Sequence, residues 1–290
     1  MKSLFLVLFF ISSLFAIDIK IQNSTIENGR TIFVEFKKEK GVKYKNIEFL
    51  KHSYPIYENP VDKSKLYALV PVSYYTKPDI KELKVVYNVA KKTNTAFFMI
   101  EIKDAHYKKE SIKVSAKKVN PRSKKVQKRT SKEYANAMKI YNTFSKHNYI
   151  TSKFIIPLNS KITSEFGKAR IYNGTLKGYH SGVDFRAKKP TPIKCANDGK
   201  VVLAKDRFYA GNSVIIDHGY GVYSCYYHLS KFKVKKGDIV KKGQIIGLSG
   251  STGRITGPHL HFAIRVEGTQ VDPLEFIKTI NKNIFNGDNK

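Results

Sequence analysis

From Ile17 to Ile102 the apolar positions come in short runs separated by charged and polar turns. Thr31-Ile32-Phe33-Val34-Glu35-Phe36, Leu66-Tyr67-Ala68-Leu69-Val70-Pro71-Val72, Leu83-Lys84-Val85-Val86-Tyr87 and Ala96-Phe97-Phe98-Met99-Ile100 are rich in β-branched and aromatic residues. Runs of this length, so spaced, predict the strands of a small sandwich. Between Ser131 and His147 the period changes. Tyr134, Met138, Tyr141 and Phe144 recur at i, i+3 or i+4, which predicts a helix capped by Ser131, with its aromatic stripe turned to a core. Strand-like runs then return: Ser213 to Ile216 and Val222 to His228, joined by the turn Asp217-His218-Gly219-Tyr220-Gly221.

The expected architecture is mostly β. A β-sandwich-like N-terminal domain spans 17–106, a basic linker plus one helix 107–149, a β-rich C-terminal domain 150–280 and a tail 281–290. A chain of 290 residues suffices for two modest cores. Ahead of them, Met1-Lys2-Ser3 and the apolar run Leu4 to Ala16 read as a secretory signal, too short to span a bilayer comfortably.

Candidate chemistry concentrates in two segments, His180-Ser181-Gly182-Val183-Asp184 and Gly257-Pro258-His259-Leu260-His261. In a strand, residues i and i+2 share a face, so His259 and His261 project together while Leu260 turns to the core. His180 and Asp184 add a nitrogen and a carboxylate oxygen, a mixed donor set that zinc accepts in catalytic sites with one position left to water. Ser181, Gly182, Val183 and Phe185 resist helix, so the pair is expected to converge from a loop. His228 ends the second apolar run and completes the constellation. His218 reads as a structural residue of its turn, and His52, His106 and His147 have no such partners. The glycines of Gly247-Leu248-Ser249-Gly250-Ser251-Thr252-Gly253 lack the lysine of a phosphate loop and predict a tight connection to the His259 strand, lining a groove or simply turning.

Residues 150–278 resemble the M23 peptidases, the LytM or lysostaphin-type zinc endopeptidases of peptidoglycan. The resemblance rests on Thr163-Ser164-Glu165-Phe166-Gly167, His180 to Asp184, Ala196-Asn197-Asp198-Gly199-Lys200-Val201, Ile216-Asp217-His218-Gly219, His228-Leu229-Ser230, Gly237 to Gly247 and Thr252 to His261, in that order. It implies that His180, Asp184 and His261 bind one Zn2+ per chain, while His228 and His259 stay unligated beside it. Imidazoles can move the proton of a metal-activated water or steady a developing oxyanion, and His228 and His259 share these two roles. The N-terminal part resembles the immunoglobulin-like domains that precede some M23 domains. The implied activity is hydrolysis of peptidoglycan stem or cross-link peptides. The expected form is a D,D-endopeptidase on D-Ala-diaminopimelate cross-links, with D,D-carboxypeptidase action alongside it, serving wall remodelling and cell shape. The alternative is a non-catalytic LytM-type protein that binds peptidoglycan or activates an amidase; such proteins usually lack one or more ligands, and here all are present.

The net charge of +30 would raise nucleic acid as a partner in a cytosolic chain. With an export signal, the polyanions within reach are peptidoglycan carboxylates, anionic lipid headgroups and envelope polymers, so the field is expected to hold a periplasmic monomer near them. The charge is densest in 107–129, including Lys117-Lys118 and Arg122-Ser123-Lys124-Lys125, a stretch expected to be exposed, mobile or extended. Cys195 and Cys225 stand in apolar runs and read as buried thiols rather than ligands.

Overall fold

The computed structural model describes residues 17–112, 123–172 and 174–285. The predicted signal at 1–16, the Lys117-Lys118 and Arg122 part of the basic run and residues 286–290 of the tail lie outside them. The described chain is mostly β. Its N-terminal part pairs a four-stranded sheet, in the order Ile19–Ile21, Thr31–Lys37, Lys65–Pro71 and Tyr57–Glu58, with a five-stranded one, Thr25–Glu27, Lys92–Lys103, Asp79–Val89, Val42–Phe49 and His52–Pro55. Ile32, Val34, Phe36, Ala68 and Val70 meet Ile47, Phe49, Leu83, Val85, Ile100 and Ile102 in the core between them.

The run Thr31–Lys37 does not alternate buried and exposed, because both of its faces are covered. Phe33, like Tyr67 and Leu69 on the neighbouring strand, turns away from the sandwich into a second core shared with the C-terminal part. Each such side chain taken from water contributes about 1.5–3 kcal/mol, so the two parts are joined by a hydrophobic seam. Polar contacts sharpen it: Tyr57 stacks on Tyr220 with centroids 4.2 Å apart and donates its hydroxyl to Glu267 Oε1 at 2.6 Å.

The C-terminal part is built on a sheet ordered Ile162–Ser164, Val183–Arg186, His259–Val266, Val222–Leu229, Gly211–Asp217, Gly199–Arg207 and Ile239–Val240, with Thr269–Val271 added to the His259 strand. Lys109–Ile112, Ala169–Tyr172 and Thr175–Tyr179 form a small sheet beside it. The extended start of the predicted linker is therefore a strand, paired parallel with Ala169–Tyr172.

The helix differs from expectation. It runs Lys124–Tyr141 with Ser123 at the N-cap, so Ser131 lies inside it and Phe144 beyond its end. Lysine, glutamine and arginine at 124–129 are good helix formers without an apolar stripe, and periodicity alone misses such a first turn. Arg129 ties that turn down, reaching Glu133 at 2.6 Å and Asp206 at 2.7 Å. Ala137 and Tyr141 pack against Ile215, Tyr223, Cys225 and Ala263 on the back of the sheet, whereas Tyr134 is exposed. A second helix, Pro273–Ile280, corrects the expectation of one. Asp272 caps it by accepting from the Leu274 and Glu275 N–H groups, and Pro273 sits where its missing donor costs nothing. Both cysteines are buried and unpaired.

Candidate active site

Strand register brings the site together. Asp184 lies opposite His261, and His261 lies opposite Tyr227 on its other side. His259 shares the face of His261, while Leu260 is fully buried behind. His180 follows the Thr175–Tyr179 strand and is pinned by two backbone bonds, its N–H to Lys168 O and its O from Gly167 N–H, both 2.8 Å. The chain then turns into the Val183–Arg186 strand, so Asp184 sits in a strand and not a loop. Only glycine fits at 182: a Cβ there would lie 2.3 Å from Phe262 O and 2.9 Å from His261 Nε2.

The donor atoms form a tight triangle. His180 Nε2 is 2.9 Å from Asp184 Oδ1 and 3.0 Å from His261 Nδ1, and His261 Nδ1 is 2.9 Å from Asp184 Oδ1. All three residues are buried. His180 Nδ1 donates to Glu165 O at 2.7 Å, so in neutral His180 the inward Nε2 is a lone pair facing a carboxylate oxygen. Burial holds the His261 imidazole neutral, its pKa lowered to about 4 despite the pull of Asp184. Two neutral rings supply at most one N–H to three short contacts, whereas a cation at the centre satisfies all three. Tetrahedral ligands about 2.0–2.1 Å from zinc lie roughly 3.3 Å apart, so the triangle need open by only tenths of an ångström. Burial works to raise the Asp184 carboxyl, but the two imidazoles against its Oδ1, which favour the carboxylate whenever they carry a proton toward it, outweigh burial and hold the group well below its usual range.

His228 and His259 stand beside the triangle with ring centroids 4.9 Å apart. Each donates Nδ1 to a backbone carbonyl, Thr252 O at 2.8 Å and Gly257 O at 2.9 Å, which leaves Nε2 as an acceptor. His259 Nε2 is 3.7 Å from Asp184 Oδ1. His228 has φ 64, a left-handed conformation that costs a non-glycine residue about 1–3 kcal/mol. Its N–H bond to Ala210 O, 2.9 Å, and its ring bond to Thr252 hold it there. Burial, then the neighbouring His259 and His261, lower its pKa to about 3. The glycine-rich connection thus serves the site through the Thr252 carbonyl. His218 is elsewhere: its Nδ1 donates to Asp198 O and its Nε2 faces the Ser224 hydroxyl, both at 2.7 Å.

Four supporting residues escaped the sequence reading. Arg170 bonds Asp184 Oδ2 at 3.0 Å and Ser164 Oγ at 3.2 Å, and pairs with Glu110 at 3.2 Å. Asp184 is thereby oriented with Oδ1 toward the histidines. Tyr227 stacks on His261 at 5.2 Å and 5° and bonds the Tyr141 hydroxyl at 3.0 Å. Ser164 and Tyr227 lie inside quoted motifs, so adjacency could have suggested them. Glu110 and Arg170 reach the site only through sheet pairing. The whole set floors and walls an open groove of about 530 Å³.

The family model for peptidase family M23 matches residues 178–273. The peptidoglycan DD-endopeptidase ShyA of Vibrio cholerae is 45% identical over 122 residues, covering 41% of this chain and 28% of that protein. The DD-carboxypeptidase/endopeptidase Mpg of Neisseria meningitidis is 42% identical over 95 residues, covering 33% of this chain and 22% of that one. The chain therefore spans under a third of the length of these relatives. A crystal structure of a Pseudomonas aeruginosa protein assigned to peptidase M23 superposes with a TM-score of 0.66 at 27% identity, over 86% of this chain and 94% of that one. Motif order, site geometry and these matches agree that residues 178–273 are a metallopeptidase domain of family M23.

Proposed function

We propose that this chain is a zinc-dependent peptidoglycan hydrolase that cuts stem or cross-link peptides. Its preferred bond is the D-Ala-diaminopimelate cross-link, with removal of terminal D-Ala as a second activity. The observation that carries the reading is the buried triangle of His180, Asp184 and His261 at the floor of an open groove, with two further imidazoles presenting acceptor nitrogens beside it. The DD-endopeptidase ShyA and the DD-carboxypeptidase/endopeptidase Mpg, as relatives, support the choice of bond.

Zinc held by His180 Nε2, Asp184 Oδ1 and His261 Nδ1 would supply an activated water and Lewis acidity near neutral pH. The chain's own groups do the rest. Arg170 fixes the Asp184 carboxylate, and Glu165 O fixes the His180 tautomer, as partners of ligating groups do in metal sites. His228 and His259 face the groove with Nε2 and between them accept a proton, return it to the leaving amine and steady the polarised carbonyl. The export signal predicted from the sequence and the +30 charge support action in the periplasm, close to anionic wall and membrane, with cell shape as the process served.

The experiment is digestion of isolated peptidoglycan by the mature chain, beside His261→Ala and a chelator control, with muropeptides identified by mass spectrometry. Dimers should become monomers and pentapeptides tetrapeptides, both only when zinc is present. An unchanged profile with wall binding intact would replace the hydrolase with the non-catalytic, amidase-activating reading.

A further inference from the structure

We infer that Arg254, held against Tyr172 and Tyr209 on the groove wall, is a recognition site for a carboxylate of the bound peptide; this rests on the peptidase reading above. The guanidinium carbon lies 4.5 Å from the centroid of each tyrosine ring, and all three residues line the same groove as His228, His259 and His261. The loop is locked in place: Arg254 N–H donates to Tyr209 O at 2.8 Å, and a Cβ at Gly253 would come 2.4 Å from Gly211 N. Both rings present their faces to the guanidinium. A ring face attracts the charge without supplying a hydrogen-bonding oxygen for the five N–H donors of the planar fork.

No carboxylate among the described residues pairs with Arg254. The acidic side chains on the groove wall, Glu110 and Asp184, are both engaged by Arg170. The groove therefore holds one guanidinium whose charge is balanced internally and one whose charge is not. A planar, pre-oriented fork with free edge donors matches a carboxylate in bidentate geometry, and the two aromatic contacts remove much of the rotamer entropy that ordering the side chain would cost. Peptidoglycan stem peptides carry such carboxylates along their length. Arg254 is thus a specificity-determining residue, set apart from the histidines that meet the scissile bond.

The test uses cross-linked stem peptides with free carboxylates and versions in which one carboxylate at a time is an amide. kcat and KM are measured on wild type, R254Q and R254K, and Kd for each peptide is read by calorimetry on zinc-depleted protein, where nothing is cut. Wild type should favour one acid over its amide by about tenfold in KM and Kd, with kcat little changed. R254Q should lose that preference and treat the amide as wild type does, and R254K should keep part of it. Equal handling of every acid and amide by wild type overturns the inference. So does a preference that survives in R254Q, or an R254Q that loses acid and amide alike, which would make the arginine a brace for the two tyrosines. If no peptide is cut but acid-selective binding persists, the peptidase reading falls and this one stands.

Discussion

Two buried histidine sites occupy opposite ends of one hairpin, Gly211–Asp217 with Val222–Leu229. At the turn, His218 is fully buried and each ring nitrogen meets a complementary group, the Asp198 carbonyl and the Ser224 hydroxyl. At the other end, His180, Asp184 and His261 are almost as buried, yet their inward atoms share at most one N–H hydrogen among three short contacts. Burial does not distinguish the two. Hydrogen bookkeeping does: the first site closes on itself, whereas the second is short of hydrogens in a way that a bound cation would make good. A buried histidine with both nitrogens satisfied is architecture, and a cluster short of hydrogens is a candidate for chemistry.

The comparison breaks most sharply at His261. His261→Ala should bring zinc content from about one per chain to near zero and cut muropeptide release to below about a thousandth of wild type. Elemental analysis showing full zinc in an active variant would place the metal elsewhere. His228→Ala should keep its zinc while kcat falls by about 10²–10⁴; loss of metal in that variant would move His228 into the ligand set. Arg170→Met leaves all three proposed ligands but frees the second oxygen of Asp184. It should weaken zinc about 10–100-fold in chelator competition, and unaltered affinity would mean that Asp184 needs no such brace.

The turn end should respond in a different measurement. His218→Asn takes from the buried Ser224 hydroxyl one of its two side-chain partners, the other being the Tyr226 hydroxyl at 3.0 Å, and should cost about 1–3 kcal/mol in urea unfolding, with zinc content and kcat unchanged. A catalytic loss without a stability loss would erase the distinction between the ends. The smallest effect is in pH dependence. Burial lowers the His218 pKa to about 4, so the unfolded chain binds that proton first. Its contribution is whole above about pH 6.5 and is lost as pH falls toward 4. The drop in unfolding midpoint across that window should be smaller in His218→Asn than in wild type, and equal slopes would mean His218 is not held neutral by the fold.

Several features were legible before any coordinates. Runs rich in β-branched and aromatic residues located the strands around Thr31, Leu66 and Val222, and strand alternation, in which every second residue shares a face, marked the His259 segment. That same rule placed His259 and His261 on one face. It was silent where burial is two-sided, as at Thr31–Lys37, and where a helix is built from propensity without an apolar stripe, as at Lys124 to Arg129.

Spacing and residue chemistry along the chain were thus enough to nominate His180, Asp184, His228, His259 and His261, because metal donors and general bases are few in kind and clustered here in short motifs. Pairing across the sheet decided the rest. It set Asp184 opposite His261, laid Tyr227 on that ring, carried Glu110 to Arg170 across some sixty residues and left Arg254 without a countercharge against two tyrosines. Those relations join positions far apart in sequence. Hydrogen-bond supply and charge balance at a point are sums over whatever the fold brings there, and no local pattern in the chain encodes that sum.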